Sequence, residues 1–313
     1  MNERNLVMPR SAGKDIEEIF GYAPDDTAPI VRTTWALKAC PFVGKGCIKY
    51  NHDRSICYGT CSVSNRDAKG FKETVIICPN RFYADNYAAI RNVAEDAFGR
   101  GYTFYTYPEY VQNLLTADRC VVALGHDSGR EVRLGRSMSM DWVIARIENN
   151  TLIEYAGIEI QSIDITGNYR DNWHAYNQLP EHPTDHIPSS QHALNWANVH
   201  KRLIPQLIRK GLVYSRSAFV KRGLYFVLPD RVYCEFKKVI GPLPPPKFTD
   251  NTIITVFTYD LGGSVSSGKH RPLTLARSLR FSLSDFSEQF IAGVDLPSGE
   301  MLDARIRDML NVK

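Results

Sequence analysis

The sequence has no long hydrophobic run. Among its 313 residues, no uncharged apolar stretch reaches the roughly 18 residues that a membrane-spanning helix needs. The N-terminal Met-Asn-Glu-Arg-Asn is not followed by an apolar core, so it does not have the form of a secretory signal peptide. Internal repeats and low-complexity tracts are absent as well. These absences predict a cytoplasmic protein with no membrane partner.

The chain does have the composition of a folded protein. Hydrophobic residues make up 43% and charged residues 23%, which is enough apolar material for one large domain or two smaller ones. A disordered chain would have fewer apolar residues than this. The 38 Lys and Arg residues nearly balance the 34 Asp and Glu residues, and the net charge of +4 is too small to indicate a partner.

Patterns typical of strands and helices alternate along the chain. Residues 84–98 place apolar side chains at helical spacing, with Gly99 as a stop signal. Residues 141–147 and 152–163 are expected to form two strands, joined by a tight turn at Glu148-Asn149-Asn150 as a hairpin. Residues 223–240 are expected to form another strand. The predicted fold class is therefore α/β or α+β.

The seven cysteines are unevenly distributed, and five of them fall in one segment: Cys40, Cys47, Cys57, Cys61 and Cys78. An odd total argues against a complete disulfide framework. Thiolates bind soft or borderline metals, and four cysteines around zinc are the usual structural arrangement. An iron–sulfur cluster is the second option, and buried free cysteines are the alternative without metal. The spacing differs from paired C-x-x-C motifs, so it does not identify the four ligands.

Two carboxylate residues lie on the two strands of the predicted hairpin. Alternate side chains of a strand share a face, so Glu159 and Gln161 point the same way, and the hairpin brings Asp141 within about 5 Å of Glu159. Carboxylates this close repel each other unless a cation lies between them, and Mg²⁺ prefers such oxygen ligands. We therefore predict a Mg²⁺ site at Asp141 and Glu159. The alternative is that these are ordinary solvent-facing strand residues.

Glu131 is a further candidate catalytic residue at the same place. It precedes Asp141 on a possible strand and is a candidate metal ligand. It also lies among several arginines, which fits a surface residue equally well.

Asp141, Glu159 and Gln161 together resemble the PD-(D/E)XK nuclease core. In that core an Asp begins one strand, and an acidic residue, any residue and usually Lys occupy the next. Gln161 stands at the Lys position, and no Lys occurs from residue 142 to residue 170.

A second resemblance includes the cysteine segment. The cysteines precede a helix, the Asp strand and the Glu-x-Gln strand, and the strings Cys-Pro-Phe, Gly-Thr-Cys-Ser-Val and Ile-Cys-Pro-Asn-Arg-Phe occur among them. This combination, over residues 33–240, resembles the NotI-type type II restriction endonucleases. In that group Gln replaces the core Lys, which would account for Gln161.

The resemblance implies a Mg²⁺-dependent homodimer that cuts both strands of double-stranded DNA at a GC-rich palindrome, with GGCC a plausible core. Asp141, Glu159 and Gln161 are the implied catalytic residues. It also implies a structural iron ion, with zinc as the alternative, at four cysteines: Cys40, Cys47, Cys61 and Cys78, with Cys57 as an alternate ligand. We expect residues 1–80 to form an N-terminal arm and cysteine-rich metal-binding module. Residues 81–313 would then form a PD-(D/E)XK endonuclease domain with a DNA-contacting C-terminal region.

The charge is concentrated in one region. Residues 201–240 contain ten Lys or Arg residues against Asp230 and Glu235, a net +8, so the rest of the chain sums to −4. Such a patch suits the phosphates of a duplex, although a solvated basic face is the alternative. Five residues in two stretches are candidate DNA contacts: Arg216, Lys221, Arg222, Lys269 and Arg271.

Two rival functions remain, an iron–sulfur PD-(D/E)XK exonuclease and a non-catalytic, metal-stapled DNA-binding regulator.

Overall fold

The structure is a computed structural model that describes most of the chain. It covers residues 10–66, 69–125, 130–134, 138–179, 186–246, 251–293, 296 and 298–310. None of the helices within these ranges is long and apolar enough to cross a membrane.

The strands and helices alternate from one end of the described chain to the other. The strands are β1 (Ile16–Ile19), β2 (Ala39–Cys40), β3 (Lys45–Gly46), β4 (Thr60–Arg66), β5 (Lys72–Ile76), β6 (Thr103–Thr106), β7 (Arg119–Gly125), β8 (Val132–Leu134), β9 (Met138–Met140), β10 (Trp142–Glu148), β11 (Thr151–Ile160), β12 (Ile165–Thr166), β13 (Ala193–Leu194), β14 (Val220–Pro229), β15 (Ile253–Leu261) and β16 (Leu273–Ser282). The helices are α1 (Pro29–Leu37), α2 (Ala84–Phe98), α3 (Tyr107–Gln112), α4 (Arg170–Gln178), α5 (Trp196–Asn198), α6 (Ile204–Tyr214), α7 (Asp230–Ile240), α8 (Leu283–Ala292) and α9 (Gly299–Leu310). A 3-10 helix (Pro79–Tyr83) precedes α2, and a π-helical turn (Val199–Leu203) joins α5 to α6.

A central mixed sheet organises the fold. Within the described residues, seven strands lie in the order β16-β15-β14-β11-β10-β7-β6. Strand β14 runs parallel to both β11 and β15, and β6 runs parallel to β7, whereas the other neighbours are antiparallel. One buried cluster joins the sheet to α6, α7 and α8, and a second joins it to α2. Helices therefore flank a mixed sheet, which agrees with the predicted α/β or α+β class.

The hairpin of β10 and β11 forms as the sequence predicts. Asn149 and Asn150 take positive φ angles of 48° and 57°, which asparagine tolerates in a tight two-residue turn. The register places Trp142 opposite Ile158 and Glu148 opposite Thr151. The register shifts by one residue between Arg146 and Ile147, and beyond this shift the residue before Trp142 comes level with the residue after Ile158.

The region 223–240 is a strand only in its first part, so the expectation of a single strand is wrong. Strand β14 ends at Pro229, and α7 begins at Asp230. Val232 and Phe236 are buried on one side of this helix, a spacing of one helical turn.

The N-terminal segment packs against the sheet. Strand β1 pairs antiparallel with β4, with Ile16 opposite Val63. Both residues share a buried hydrophobic cluster with Phe226 of β14. The cysteine-rich segment is thereby held beside the strands that carry the acidic residues. The domain boundary at residue 80 remains a prediction.

Candidate active site

The hairpin brings Asp141 and Glu159 together. Asp141 immediately precedes β10, and the pairing of Trp142 with Ile158 sets it level with Glu159 near the end of β11. The backbone N–H of Ile160 donates to Asp141 Oδ2 at 3.0 Å, which fixes the Asp141 carboxylate against the end of the neighbouring strand. The two side chains are close enough for the negative charge of Asp141 to act on the Glu159 carboxyl. This is the juxtaposition that the alternation of the strands predicts.

A lysine from a helix completes this group. Lys210 Nζ forms an ion pair with Glu159 Oε2 and lies 3.7 Å from Asp141 Oδ1. Its side chain is only 11% exposed. The lysine that is missing between residues 142 and 170 is thus supplied by α6. Sequence reasoning counted Lys210 only as one member of a basic region.

A glycine on β11 allows the helix to approach. Gly157 lies under the ring of Tyr214, and a Cβ at position 157 would stand 2.1 Å from Tyr214 Cζ. Gly157 and Glu159 are two residues apart and share a face of the strand, while Lys210 and Tyr214 are one turn apart on α6. Tyr214 over Gly157 therefore places Lys210 over Glu159.

The environment of Glu159 raises the pKa of its carboxyl, so that a proton competes with a cation for this group. Burial, followed by the negative charge of Asp141, raises the pKa of Glu159 to about 8 despite the opposing effect of Lys210. Its side chain is 12% exposed, and Oε1 is buried with no hydrogen-bond partner in the described part of the chain. Asp141 is 38% exposed and faces a cleft. A buried, unsatisfied carboxylate oxygen beside an accessible carboxylate is suited to a cation.

Gln161 and Glu131 both border this site. The Gln161 backbone N–H continues the ladder to Val227 O at 2.9 Å, and its side-chain amide donates to Ser162 O at 2.8 Å. Glu131 lines the same cleft as Asp141 and also forms an ion pair with Arg133 at 2.7 Å. The ion pair with Arg133 is what we would expect of a surface residue. The position of Glu131 in the cleft is also consistent with its being a metal ligand.

The cleft in front of Asp141 has a volume of about 470 Å³. Its lining combines the ends of the hairpin strands with the cysteine-rich segment, and includes Ile48, Lys49, Pro79, Asp141, Gln161 and Asp164. A smaller pocket of about 200 Å³ adjoins it beyond Gln161 and Ser162. Together they form a groove that has the cysteine-rich segment on one wall and the α5–α6 region on the other.

The helical wall carries a row of polar side chains that sequence reasoning did not single out. Asn198, Arg202 and Gln206 line the smaller pocket, and Lys210 follows at the same four-residue spacing. Such spacing places side chains along one side of a helix. The four-residue spacing can be read from the sequence. That these side chains face the candidate site follows only from the packing of the helix beside β11.

Four of the five clustered cysteines form two hydrogen-bonded pairs of free thiols, Cys47 with Cys57 and Cys61 with Cys78. A hydrogen bond from the Cys47 thiol lowers the pKa of Cys57 to about 7, and one from Cys61 lowers the pKa of Cys78 to about 7. Cys40 also lies within electrostatic range of Cys78, and burial raises its pKa. The donor set suits a thiophilic metal, since thiolates at near-neutral pH are the ligating form.

Within the described ranges, no group of three or more His, Cys, Asp or Glu side chains is arranged to hold a metal ion. Asp141 and Glu159 are only two carboxylates, and Mg²⁺ is commonly held by one or two carboxylates together with water and substrate phosphates. The thiol pairs would have to converge for all four ligands to reach one metal.

The candidate DNA contacts fall at two ends of the sheet. Arg216, Lys221 and Arg222 lie around the start of β14, where Val220 pairs with Tyr155. Tyr155 is four residues before Glu159, a separation of about 13 Å along the strand. The loop after β15 contains Lys269 and Arg271 and leaves the sheet at the same end as Glu159, because β11, β14 and β15 are parallel.

Comparison of the sequence with protein-family models found no match, and comparison with curated proteins found none either. The functional argument therefore depends on the geometry of the site.

Proposed function

We propose that the protein is a type II restriction endonuclease of the PD-(D/E)XK kind, similar to the NotI-type enzymes. It would act as a Mg²⁺-dependent homodimer that cuts both strands of a GC-rich palindromic site. The observation that supports this most directly is the group formed by Asp141, Glu159 and Lys210 at one end of a mixed sheet, open to a cleft. One lysine and one arginine, Lys49 and Arg202, lie on the walls of the groove, where they could contact the phosphates of a nucleic-acid strand.

The reaction is hydrolysis of a phosphodiester, in which a water oxygen bonds to phosphorus as another P–O bond breaks. Asp141 and Glu159 would hold Mg²⁺, which supplies positive charge opposite the charge that develops on the phosphate oxygens. Gln161 accepts or donates a hydrogen bond through its amide and orients the attacking water. Lys210 supplies the positive charge that Gln161 lacks and stabilises the negative charge that develops beside it.

The cysteine segment would hold a structural iron ion, with zinc as the alternative. Cys40, Cys47, Cys61 and Cys78 are the proposed ligands and Cys57 the alternate. The clustering of five thiols in one segment supports this assignment. Among the four proposed ligands the pKa of Cys78 is lowered to about 7, whereas the pKa values of Cys40, Cys47 and Cys61 are raised when no metal is bound. Metal analysis of the purified protein tests it, together with Cys→Ser variants at each position. Acid-labile sulfide would indicate an iron–sulfur cluster instead of a single iron ion.

Incubation of the purified protein with plasmid DNA and Mg²⁺ tests the activity itself. Discrete fragments are the expected result, and sequencing their ends gives the target site and the stagger of the cut. Progressive shortening from DNA ends would favour an exonuclease, and shifted but uncut DNA would favour a regulator. Asp141→Ala and Glu159→Ala should abolish cleavage and still bind the site in Ca²⁺. Full cleavage by either variant contradicts the proposal.

A further inference from the structure

Lys49 lies in the cysteine-rich segment, yet it lines the cleft that contains Asp141 and Gln161. It is two residues after Cys47 and belongs to a stretch that sequence reasoning considered only for its thiols. The cysteine segment therefore contributes a cationic side chain to the same space as the acidic residues of the hairpin.

One hydrogen bond holds the ammonium of this side chain, and its acceptor is held from a second side. Lys49 Nζ donates to the carbonyl oxygen of Ile77 at 2.7 Å, and Ser162 Oγ donates to the same oxygen at 3.2 Å. Ser162 directly follows Gln161, whereas Ile77 directly precedes Cys78. The shared carbonyl thus joins the cysteine segment to the end of the catalytic strand at the point where Lys49 enters the cleft.

The backbone of Lys49 is held within the cysteine segment. Its N–H donates to Cys47 Sγ at 3.4 Å, and its carbonyl oxygen accepts from the N–H of Tyr58 at 2.9 Å. A side chain anchored at both backbone groups and at its ammonium presents its charge at a defined place.

The charges around the cleft indicate what Lys49 would bind. The cleft floor carries the carboxylates of Asp141, Glu131 and Asp164, and Arg202 lies on the opposite wall of the groove. A polyanion entering between these carboxylates needs cations on the walls, and a lysine ammonium is a compact charge suited to a phosphate oxygen. The bond to Ile77 uses one of its three N–H groups, which leaves donors for a ligand.

We propose that Lys49 binds a non-bridging phosphate oxygen of the DNA strand that lies in the cleft, so that the cysteine segment forms one wall of the substrate site. This inference rests on the proposed nuclease function and adds a substrate-binding residue to it. Lys49 acts in binding, and the metal-coordinating carboxylates remain those of the hairpin.

The test compares three variants on the duplex that carries the mapped cleavage site, with Ca²⁺ in place of Mg²⁺. Lys49→Gln keeps an N–H donor for Ile77 and removes the charge, Lys49→Arg keeps the charge, and Lys45→Ala removes an exposed charge from the same segment. We expect Lys49→Gln to bind about tenfold more weakly, the effect of one charge-assisted hydrogen bond. The slope of log affinity against log salt should fall by about 0.9, the effect of one lost phosphate contact.

Lys49→Arg should keep the slope of the wild type, and so should Lys45→Ala. A wild-type slope and affinity for Lys49→Gln would contradict the role of Lys49 while leaving the nuclease assignment in place. Circular dichroism checks that each variant is folded, and the slope separates a lost contact from a general loss of structure. A folded wild-type protein that neither binds nor cuts DNA would contradict the nuclease function, and the role of Lys49 with it.

Discussion

Lys210 forms its ion pair with Glu159 across 51 residues of sequence. The pair joins α6 to the end of β11 and places an ammonium beside both carboxylates of the hairpin. Lys210 is therefore the residue whose substitution most directly tests the proposed catalytic arrangement.

Lys210→Gln should reduce the rate of cleavage by about 10²–10³, the usual effect of removing one group that stabilises transition-state charge. Single-turnover cleavage of the mapped site measures this, with saturating Mg²⁺. Arg209→Ala, which removes an exposed charge from the preceding position of α6, serves as the matched control and should cleave at the wild-type rate. Equal rates for Lys210→Gln and the wild type would show that Lys210 only neutralises the charge of Asp141 and Glu159 when no metal is bound.

Gly157→Ala should both destabilise the fold and slow cleavage. The added Cβ would overlap the ring of Tyr214, and overpacking of this kind costs about 1–3 kcal/mol of unfolding free energy. Because Tyr214 is one turn from Lys210, relief of the overlap moves Lys210 away from Glu159. Urea unfolding and cleavage assays measure the two effects. A second substitution, Tyr214→Leu, should recover part of both losses, and a failure to recover either would argue against this packing relationship.

The raised pKa of Glu159 predicts that the Mg²⁺ requirement depends on pH. Below about pH 8 the metal-free carboxyl holds a proton, which Mg²⁺ must displace, so the affinity for Mg²⁺ rises as pH approaches 8. The Mg²⁺ concentration for half-maximal cleavage should fall by up to about tenfold per pH unit from pH 6 to pH 8. Titration of Mg²⁺ at several pH values measures this. A half-maximal concentration that does not change with pH would place the pKa of Glu159 well below 6.

Arg202→Ala and Arg216→Ala should have different effects on cleavage. Arg202 lines the pocket beside Gln161, whereas Arg216 lies near the start of β14, at the end of the strands away from Glu159. Loss of a charged contact to DNA costs about 1.5–3 kcal/mol, so Arg202→Ala should raise KM about tenfold or more. Arg216→Ala should have a smaller effect. Steady-state cleavage of the same duplex compares the two variants. A larger rise in KM for Arg216→Ala than for Arg202→Ala would mean that the DNA crosses the other end of the sheet.

The hairpin was predictable because it depends on local rules: strand alternation sets the face of Glu159, and the Asn149-Asn150 turn joins the two strands. The one-residue register shift between Arg146 and Ile147, which brings Asp141 level with Glu159, was not part of that prediction. The contact of Lys210 depends instead on how α6 packs over Gly157. No spacing in the sequence connects positions 157 and 210, so this contact requires the tertiary structure.

The wrong expectation for residues 223–240 has a different cause. The apolar residues Val232 and Phe236 recur at helical spacing, and an acidic residue follows Pro229 as at the start of many helices. These signals were present in the sequence, but the strongly apolar strand before them extended the strand prediction too far. The cysteine pairs, in contrast, depend on side-chain directions in short irregular segments, for which spacing carries little information.

The buried ion pair between Glu18 and Arg81 should be required for the stability of the cysteine segment. Both side chains are fully buried, and Arg81 follows Cys78 by three residues. Glu18→Leu leaves the guanidinium without its counter-charge, and breaking a buried pair in this way costs about 3–5 kcal/mol of unfolding free energy. The double variant Glu18→Leu with Arg81→Met removes both charges and should be much closer to the wild type. Urea unfolding of the three proteins measures the difference, and a double variant as unstable as Glu18→Leu would show that packing, not the unpaired charge, causes the loss.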